Sequence, residues 1–247
     1  MRKRRTINNS NNVCHLTSCH TATDTRIFDR EARTLSKAGF SVSIIGMHVC
    51  SESKEGIEII PLSKDNGSRF TRILKLTHLA VRKRASIYHF HDPDLIPVGL
   101  FLKLLGRKVI YDVHEDYHQN FLSNRQGLPF IIRIGASLFS LLEYVSSLIF
   151  DYIIVVDSNI QKKFPSHKTK RVSNYPPKSF AQNKRKKALS NSQLEIVYLG
   201  TNSKPRGFFQ MIAAMQMLHP NKKFRLNFIG DKPEDLLAGS APEYDRP

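Results

Sequence analysis

Runs of apolar, β-branched residues recur along the chain at nearly regular intervals, and stretches with a helical period fill several of the gaps. The runs predict strands at Val13–Thr17, Ser41–Gly46, Ile57–Pro61, Ile87–Phe90, Val109–Val113, Tyr152–Val156, Glu195–Leu199 and Phe224–Ile229. Between the first two, Ile27, Glu31, Leu35 and Ala38 fall on one helical ridge, with Asp24 as N-cap and Gly39 as stop. Residues 94–108 predict a second helix that ends at Gly106, with Lys and Arg at its dipole-negative end. Strand, helix and strand in this order imply a parallel sheet with right-handed crossovers, an α/β fold.

The rhythm breaks once. Residues 176–192 are rich in Pro, Lys and polar side chains and carry no apolar period, as an interdomain linker does. The chain therefore divides into a domain at 1–175, a linker at 176–192 and a second unit at 193–247. That unit holds one strand–helix–strand repeat, after which residues 231–247 show neither strand nor strong helix pattern. It is shorter than the ~100–150 residues usual for a domain, so an incomplete second domain is expected.

The chemistry gathers where two strands end. SIYHFHDPD (86–94) and KVIYDVHEDYH (108–118) each break from apolar residues into His, Asp and Glu. In an open parallel sheet, ligands bind outside the carboxyl ends of the strands, so these two ends predict one shared cleft. His91, Asp92, His114, Glu115 and Asp116 are its candidates. Glu115 and Asp116 suit either hydroxyl binding or a helix cap. His89 shares a strand face with His91, opposite Phe90, and fits a core position as well as a site.

Composition narrows the partners. The net charge of +17 arises from 38 Lys and Arg against 21 Asp and Glu, which favours anionic partners: nucleic acid, anionic lipid or phosphorylated substrates. The basic runs MRKRR, VRKR (81–84) and NKRKK (183–187) have no interleaved aromatics, and no zinc-finger or RNA-recognition signature accompanies them, so no specific nucleic acid is implied. Three cysteines make no disulfide framework and fit reduced thiols in the cytoplasm. Cys14-His15 and Cys19-His20 invite a zinc reading, but neighbours on a strand face opposite ways and no second ligand pair follows, so no metal is expected. MRKRR leads into polar residues rather than a secretory apolar stretch. Residues 128–150 are apolar enough to span a bilayer, yet Arg133 and Glu143 make spanning costly; a buried helix, or one apposed to the inner membrane face, is expected.

Laid out in this way, the chain resembles glycosyltransferase family 4, retaining enzymes with the two-domain GT-B fold. The resemblance rests on DTRIFDREARTLSKAGFSVSIIG, IYHFHDPDLIPVGLFLKLLGRKVIYDVHEDY, DYIIVVDSNIQKKF, RVSNYPP and IVYLGTNSKPRGFFQMIAAM, which follow one another in family order over about residues 12–230. It implies a Rossmann-like amino-terminal domain for the acceptor and a second Rossmann-like domain, here incomplete, for a UDP- or GDP-linked nucleotide sugar. The reaction implied is sugar transfer to a glycan or lipid-linked acceptor in surface polysaccharide biosynthesis, with no cofactor beyond that substrate. His114 matches the family's cleft histidine, as the catalytic residue. Asp24, Arg26, His91, Asp92, Glu115 and Asp116 fall in the acceptor region; Gly200, Lys204, Arg206 and Gly207 fall in the donor loop. Two departures stand out: SCHTATDTR replaces a glycine-rich loop, and Thr201 stands where many members carry Arg. The family's later Glu-x7-Glu pair has only a coincidental match in Asp235 and Glu243, so weak or absent transfer by this chain alone is expected, with a complementing donor-domain chain as a possible partner. Two other functions fit parts of the pattern: a non-catalytic module for acceptor or membrane, and a metal-dependent hydrolase built on HFHD and DVHEDYH.

Overall fold

A computed structural model describes residues 11–62, 68–116, 130–176, 194–200, 206–218 and 224–230. The chain divides into two compact units, residues 1–176 and 177–247. Most of the 176–192 linker lies outside the described residues.

The first unit is an eight-stranded sheet. In chain order its elements are β1 (Asn12–Thr21), a π-helical segment (Thr25–Ala32) running into α1 (Arg33–Lys37), β2 (Ser41–Met47), β3 (Glu52–Lys54), β4 (Ile57–Leu62), α2 (Arg69–Lys83), β5 (Ile87–Phe90), a 3-10 turn (Pro93–Leu95), α3 (Ile96–Leu104), β6 (Lys108–Val113), α4 (Phe130–Ile149), β7 (Tyr152–Val155), α5 (Ser158–Gln161) and β8 (Thr169–Arg171). The strand order is β3-β4-β2-β1-β5-β6-β7-β8, parallel throughout except that β3 runs antiparallel to β4. This is the α/β, Rossmann-like architecture that the alternation of periods predicts.

Strand alternation sends side chains to two different environments. Cys14, Leu16, Tyr88, Phe90, Tyr111 and Val113 point to one face and join a single apolar core with α2, α3 and α4. Phe90 stacks on Tyr111 at 4.6 Å between centroids and meets Phe150 edge-on at 5.3 Å. Gly99 lets α3 approach this layer, since a Cβ there would lie 2.8 Å from Phe90 Cε1. On the opposite face Ile27, Phe28 and Ala32 pack against Val42, Ile44, Ile57 and Ile59. Farther along that face, towards β5 and β6, the side chains are His15, His89, His91 and Asp112, all buried.

Several elements differ from expectation. The 24–39 segment is not one α-helix: residues 25–32 wind with i→i+5 spacing before tightening into α1. The VRKR run is the end of α2, capped at its start by Ser68, with Arg82 and Lys83 in the last turn, where cations suit the helix dipole. Short β3 and β8 have too few residues, and too many exposed ones, to show a strand pattern. Among the described residues no helix is long and apolar enough to cross a membrane. α4 resolves its acidic residue internally: Glu143 is buried and its Oε1 accepts from Tyr111 Oη at 2.6 Å.

The second unit contains β9 (Leu194–Leu199), α6 (Phe208–Gln216) and β10 (Phe224–Ile229), with β9 and β10 paired in parallel.

Burial raises the Glu143 carboxyl above its ordinary range, only partly offset by the Tyr111 hydrogen bond. A carboxyl raised in the folded state supports folding below its unfolded value and loses that support as pH rises through the folded one. Glu143→Gln, neutral at every pH, should therefore gain thermal stability over the wild type between pH 5 and pH 8. A melting-temperature difference that shrinks or reverses with rising pH would contradict this.

Candidate functional site

The chain leaves β1 for β2 and β4, then returns to β5 on β1's other side, so the sheet reverses its winding between β1 and β5. This switch point is where an open α/β sheet offers its ligand crevice. Two carboxylates tie the crevice together. Asp92 Oδ2 accepts from Thr17 Oγ1 at 2.7 Å and from the Ser18 amide at 2.7 Å, holding the end of β1 against the end of β5. The register of β1 against β2 shifts between Leu16 and Thr21, which frees these groups from the ladder. Asp94 accepts from Ser18 Oγ at 2.8 Å and from Arg69 Nε at 2.7 Å, attaching the start of α2. His20, 41% exposed, lies 3.4 Å from Asp92 Oδ1 and stacks towards His114 at 6.1 Å.

Behind this rim stands a buried array centred on Asp112 of β6. Its carboxylate accepts from Arg26 at 2.8–3.0 Å through both Nε and Nη2. The same Oδ2 lies 3.0 Å from His114 Nε2 and 3.3 Å from His91 Nδ1. One anionic oxygen shared by two imidazoles assigns a proton to each of those nitrogens, leaving His114 Nδ1 and His91 Nε2 as acceptors. Burial would raise Asp112, but hydrogen bonds and charge from His114 and His91 hold it well below the usual carboxylate range. Burial and the nearby Asp112 push Glu31 the other way, well above that range. Burial, reinforced by neighbouring imidazoles, lowers His15, His89 and His91, His89 to about 3. The three rings are therefore neutral at ordinary pH.

The π-helical winding explains how Arg26 and Glu31 both reach this array. In an α-helix, at about 100° per residue, positions five apart diverge by about 140°. With i→i+5 winding they stack, and Arg26 Nε lies 3.1 Å from Glu31 Oε1.

His114 lies at the end of β6 with its side chain 16% exposed, the position expected of it. His91 and Asp92 are 0% and 2% exposed, so they stand behind the crevice wall and reach a ligand only through the groups they hold. Asp24 Oδ1 is engaged as the N-cap, accepting from the amides of Arg26 and Ile27. Arg26, expected in the acceptor region, is buried, bound by Asp112 and Glu31. Glu115 is exposed just past β6, and Asp116 receives an ion pair from Lys163. In the second unit Gly200 follows β9, while Arg206, exposed, and Gly207 precede α6; Lys204 lies outside the described residues. Sequence reasoning missed Asp112, His20, Arg69 and Glu31. Asp112 was within reach, since i and i+2 on a strand share a face with His114.

No family model matches the sequence, and no curated protein matches it. Solved structures do. Sucrose-phosphate synthase from Thermosynechococcus elongatus aligns with a TM-score of 0.62 at 15% identity, over 95% of this chain and 64% of its own. Os79 from O. sativa, solved in complex with UDP, aligns with a TM-score of 0.54 at 12% identity, over 92% of this chain and 74% of its own. The catalytic domain of starch synthase IV from Arabidopsis thaliana, bound to ADP and acarbose, gives 0.50 at 10% identity, over 91% and 75%. The fold is that of GT-B-type glycosyltransferases. The chain spans 64% of the length of the first of these structures.

Removing the charge of Asp112 leaves Arg26 buried with Glu31 alone. Breaking a buried pair in this way costs about 3–5 kcal/mol. Asp112→Asn should lose stability on that scale in denaturant unfolding, and a loss below about 1 kcal/mol would refute the assigned role.

Proposed function

We propose that the protein is a retaining glycosyltransferase of the family 4 type, moving a sugar from a UDP- or GDP-linked donor to a glycan or lipid-linked acceptor in surface polysaccharide biosynthesis. The observation that carries this reading is His114, the one partly exposed imidazole of the Asp112 array, set at the crevice of a glycosyltransferase-like fold. Retaining transfer requires the leaving diphosphate and the attacking hydroxyl to share one face of the sugar while positive charge builds at the anomeric carbon. Position and fixed polar groups supply most of the rate in such a step. Asp112 holds the His114 ring, so Nδ1 meets a sugar hydroxyl without first paying to order a mobile side chain. In the second unit, Gly207 has φ +79° and opens α6 with no side-chain cap, leaving backbone amides for a diphosphate, with Arg206 as the matching guanidinium. That the crystal forms of Os79 and starch synthase IV carry UDP and ADP supports a nucleotide-linked donor.

The lipid-linked acceptor has its own support. α4 exposes Ile134, Leu138, Leu141, Leu142, Val145 and Leu148, an apolar surface on a strongly basic protein, which suits the face of an anionic bilayer. The same surface favours the second reading, a module that binds acceptor or membrane without catalysis.

Calorimetry against UDP and GDP, with mass spectrometry of products from nucleotide sugars and lipid-linked acceptors, tests the proposal. Arg206→Ala should weaken nucleotide binding about 10-fold or more, the worth of a charge-assisted hydrogen bond. His114→Ala should lower transfer by about 100-fold or more while leaving nucleotide affinity unchanged. Transfer by this chain alone is expected to be weak, so the deciding result is nucleotide binding: no binding of either nucleotide would end the enzymatic reading.

Sedimentation with anionic vesicles tests the membrane surface separately. The wild type should pellet with the vesicles, and Leu138→Glu with Leu141→Glu should keep the protein in the supernatant. Vesicle binding without nucleotide binding would favour the non-catalytic module.

A further inference from the structure

The Asp112 array has a second side that sugar transfer does not use. His15 on β1 and His89 on β5 are register partners on the same sheet face, and His91 follows His89 by one pleat. Glu31 comes down onto these three rings from the π-helical segment. Four atoms converge: His15 Nδ1, His89 Nδ1, His91 Nε2 and Glu31 Oε2, all within 4.8 Å of one another. Glu31 Oε2 lies 3.8 Å from each of the three nitrogens, and His15 Nδ1 lies 3.0 Å from His91 Nε2. For bonds of about 2.0–2.1 Å a tetrahedral centre needs ligand–ligand edges of about 3.3 Å, so the 3.8 Å contacts of Glu31 must close by about half an ångström, and any wider edge, up to 4.8 Å, by more.

The chemistry of the donors also fits. Glu31 Oε2 is buried and has no hydrogen-bond partner, an expensive condition for a carboxylate oxygen that a cation would relieve. Two of the ligands, Glu31 and His91, are oriented from behind, as metal ligands are. Arg26 holds Glu31 by Oε1 at 3.1 Å, and Asp112 lies 3.3 Å from His91 Nδ1 and 3.8 Å from His89 Nε2. His15 Nε2 and His89 Nε2 have no hydrogen-bond partner. Cys14 points to the opposite, apolar face and is not a ligand.

We propose that His15, Glu31, His89 and His91 bind a divalent transition metal ion, Zn2+ by preference, in a closed four-coordinate structural site at the β1–β5 switch point. Three imidazoles with one carboxylate suit zinc, and the burial of the three rings suits a closed site. The ion fastens β1, β5 and the π-helical segment to one another. It also fixes the lone pair of His91 at Nε2, hence its proton at Nδ1 beside Asp112, and so steadies the hydrogen bond on which His114 rests. The cysteine–histidine pairs visible in the sequence take no part; the site joins residues from three separated segments. Its existence is independent of sugar transfer.

The test uses tag-free protein, so that no added histidines bind metal. Elemental analysis after purification with zinc present should find one ion per chain. Co2+ titrated into chelator-treated protein should give the visible spectrum of a four-coordinate ion with no thiolate charge-transfer band, and should raise the unfolding temperature. Glu31→Gln and His89→Ala should each weaken metal binding by more than about 100-fold, whereas His48→Ala, at a partly buried histidine paired with Glu52 of β3, should not. Wild-type protein that takes up no metal, a thiolate band, or undiminished binding in both ligand variants would overturn the proposal. Should the variants fail to fold, the wild-type stoichiometry, cobalt spectrum and thermal shift decide it alone.

Discussion

The Arg26–Asp112 ion pair is the interaction on which the polar half of the sheet depends. Both partners are buried, and a buried pair is tolerated only where geometry is good and the remaining lone pairs are occupied. Here the guanidinium binds in bidentate fashion, and both flanking imidazoles turn their N–H groups to the same carboxylate. Without Asp112, Arg26, His91 and His114 would lose the carboxylate they share, and Arg26 would be left with Glu31 alone. With it, His91 and His114 are confined to one tautomer and one orientation. A site of this kind gains precision by giving up choice, and that is what preorganised catalysis requires.

The π-helical segment follows from this pair. An α-helical course over residues 25–32 could satisfy Asp112 with Arg26, or present Glu31 to the histidines, but not both on one face. The wider winding does both, while Asp24 closes the segment's first turn and Ile27 and Phe28 still reach the apolar layer over β2 and β4. Wider helical turns are poorer hydrogen-bonding solutions and persist where a local demand outweighs that cost. The demand here is the convergence of one cation and one carboxylate on a buried cluster.

Much of this fold was legible in the sequence because its strands carry runs of apolar, β-branched residues, and such runs announce themselves. The strands at Ile87–Phe90 and Phe224–Ile229 have the bounds that the apolar runs imply. β3 escaped detection because all three of its residues are exposed, and α2 because its register had to be read across a basic run. The site was half legible. His91, Asp92 and His114 stood out as polar residues closing apolar strands. The burial of His91 and Asp92 did not, because it depends on the bulged end of β1 that engages Asp92 and on Glu31 over His91, whose position depends on a helix type that no amphipathic period reveals. His89 fitted a core position as well as a site, and His15 drew notice only beside Cys14. Register between β1 and β5 makes them neighbours, and register is a property of the assembled sheet.

The two units end their strands in different ways, and the difference bears on what each can approach. In the first, β1, β5 and β6 end in titratable side chains that fill the crevice and fix one another. In the second, β9 and β10 both run into glycine. A Cβ at Gly230 would fall 1.9 Å from the Gly200 carbonyl oxygen, so no other residue fits there without moving the backbone. Gly207, with its positive φ, then starts α6 without a side-chain cap. Bare backbone at strand ends and an uncapped helix start offer amides in place of side chains. Imidazoles and carboxylates suit the discrimination of hydroxyl groups, whereas exposed amides beside a guanidinium suit a phosphate, which is recognised by charge and close approach. The contrast is written in residue type, Asp92 and His114 on one side and Gly200, Arg206 and Gly207 on the other, and the proposed acceptor and donor roles rest on it.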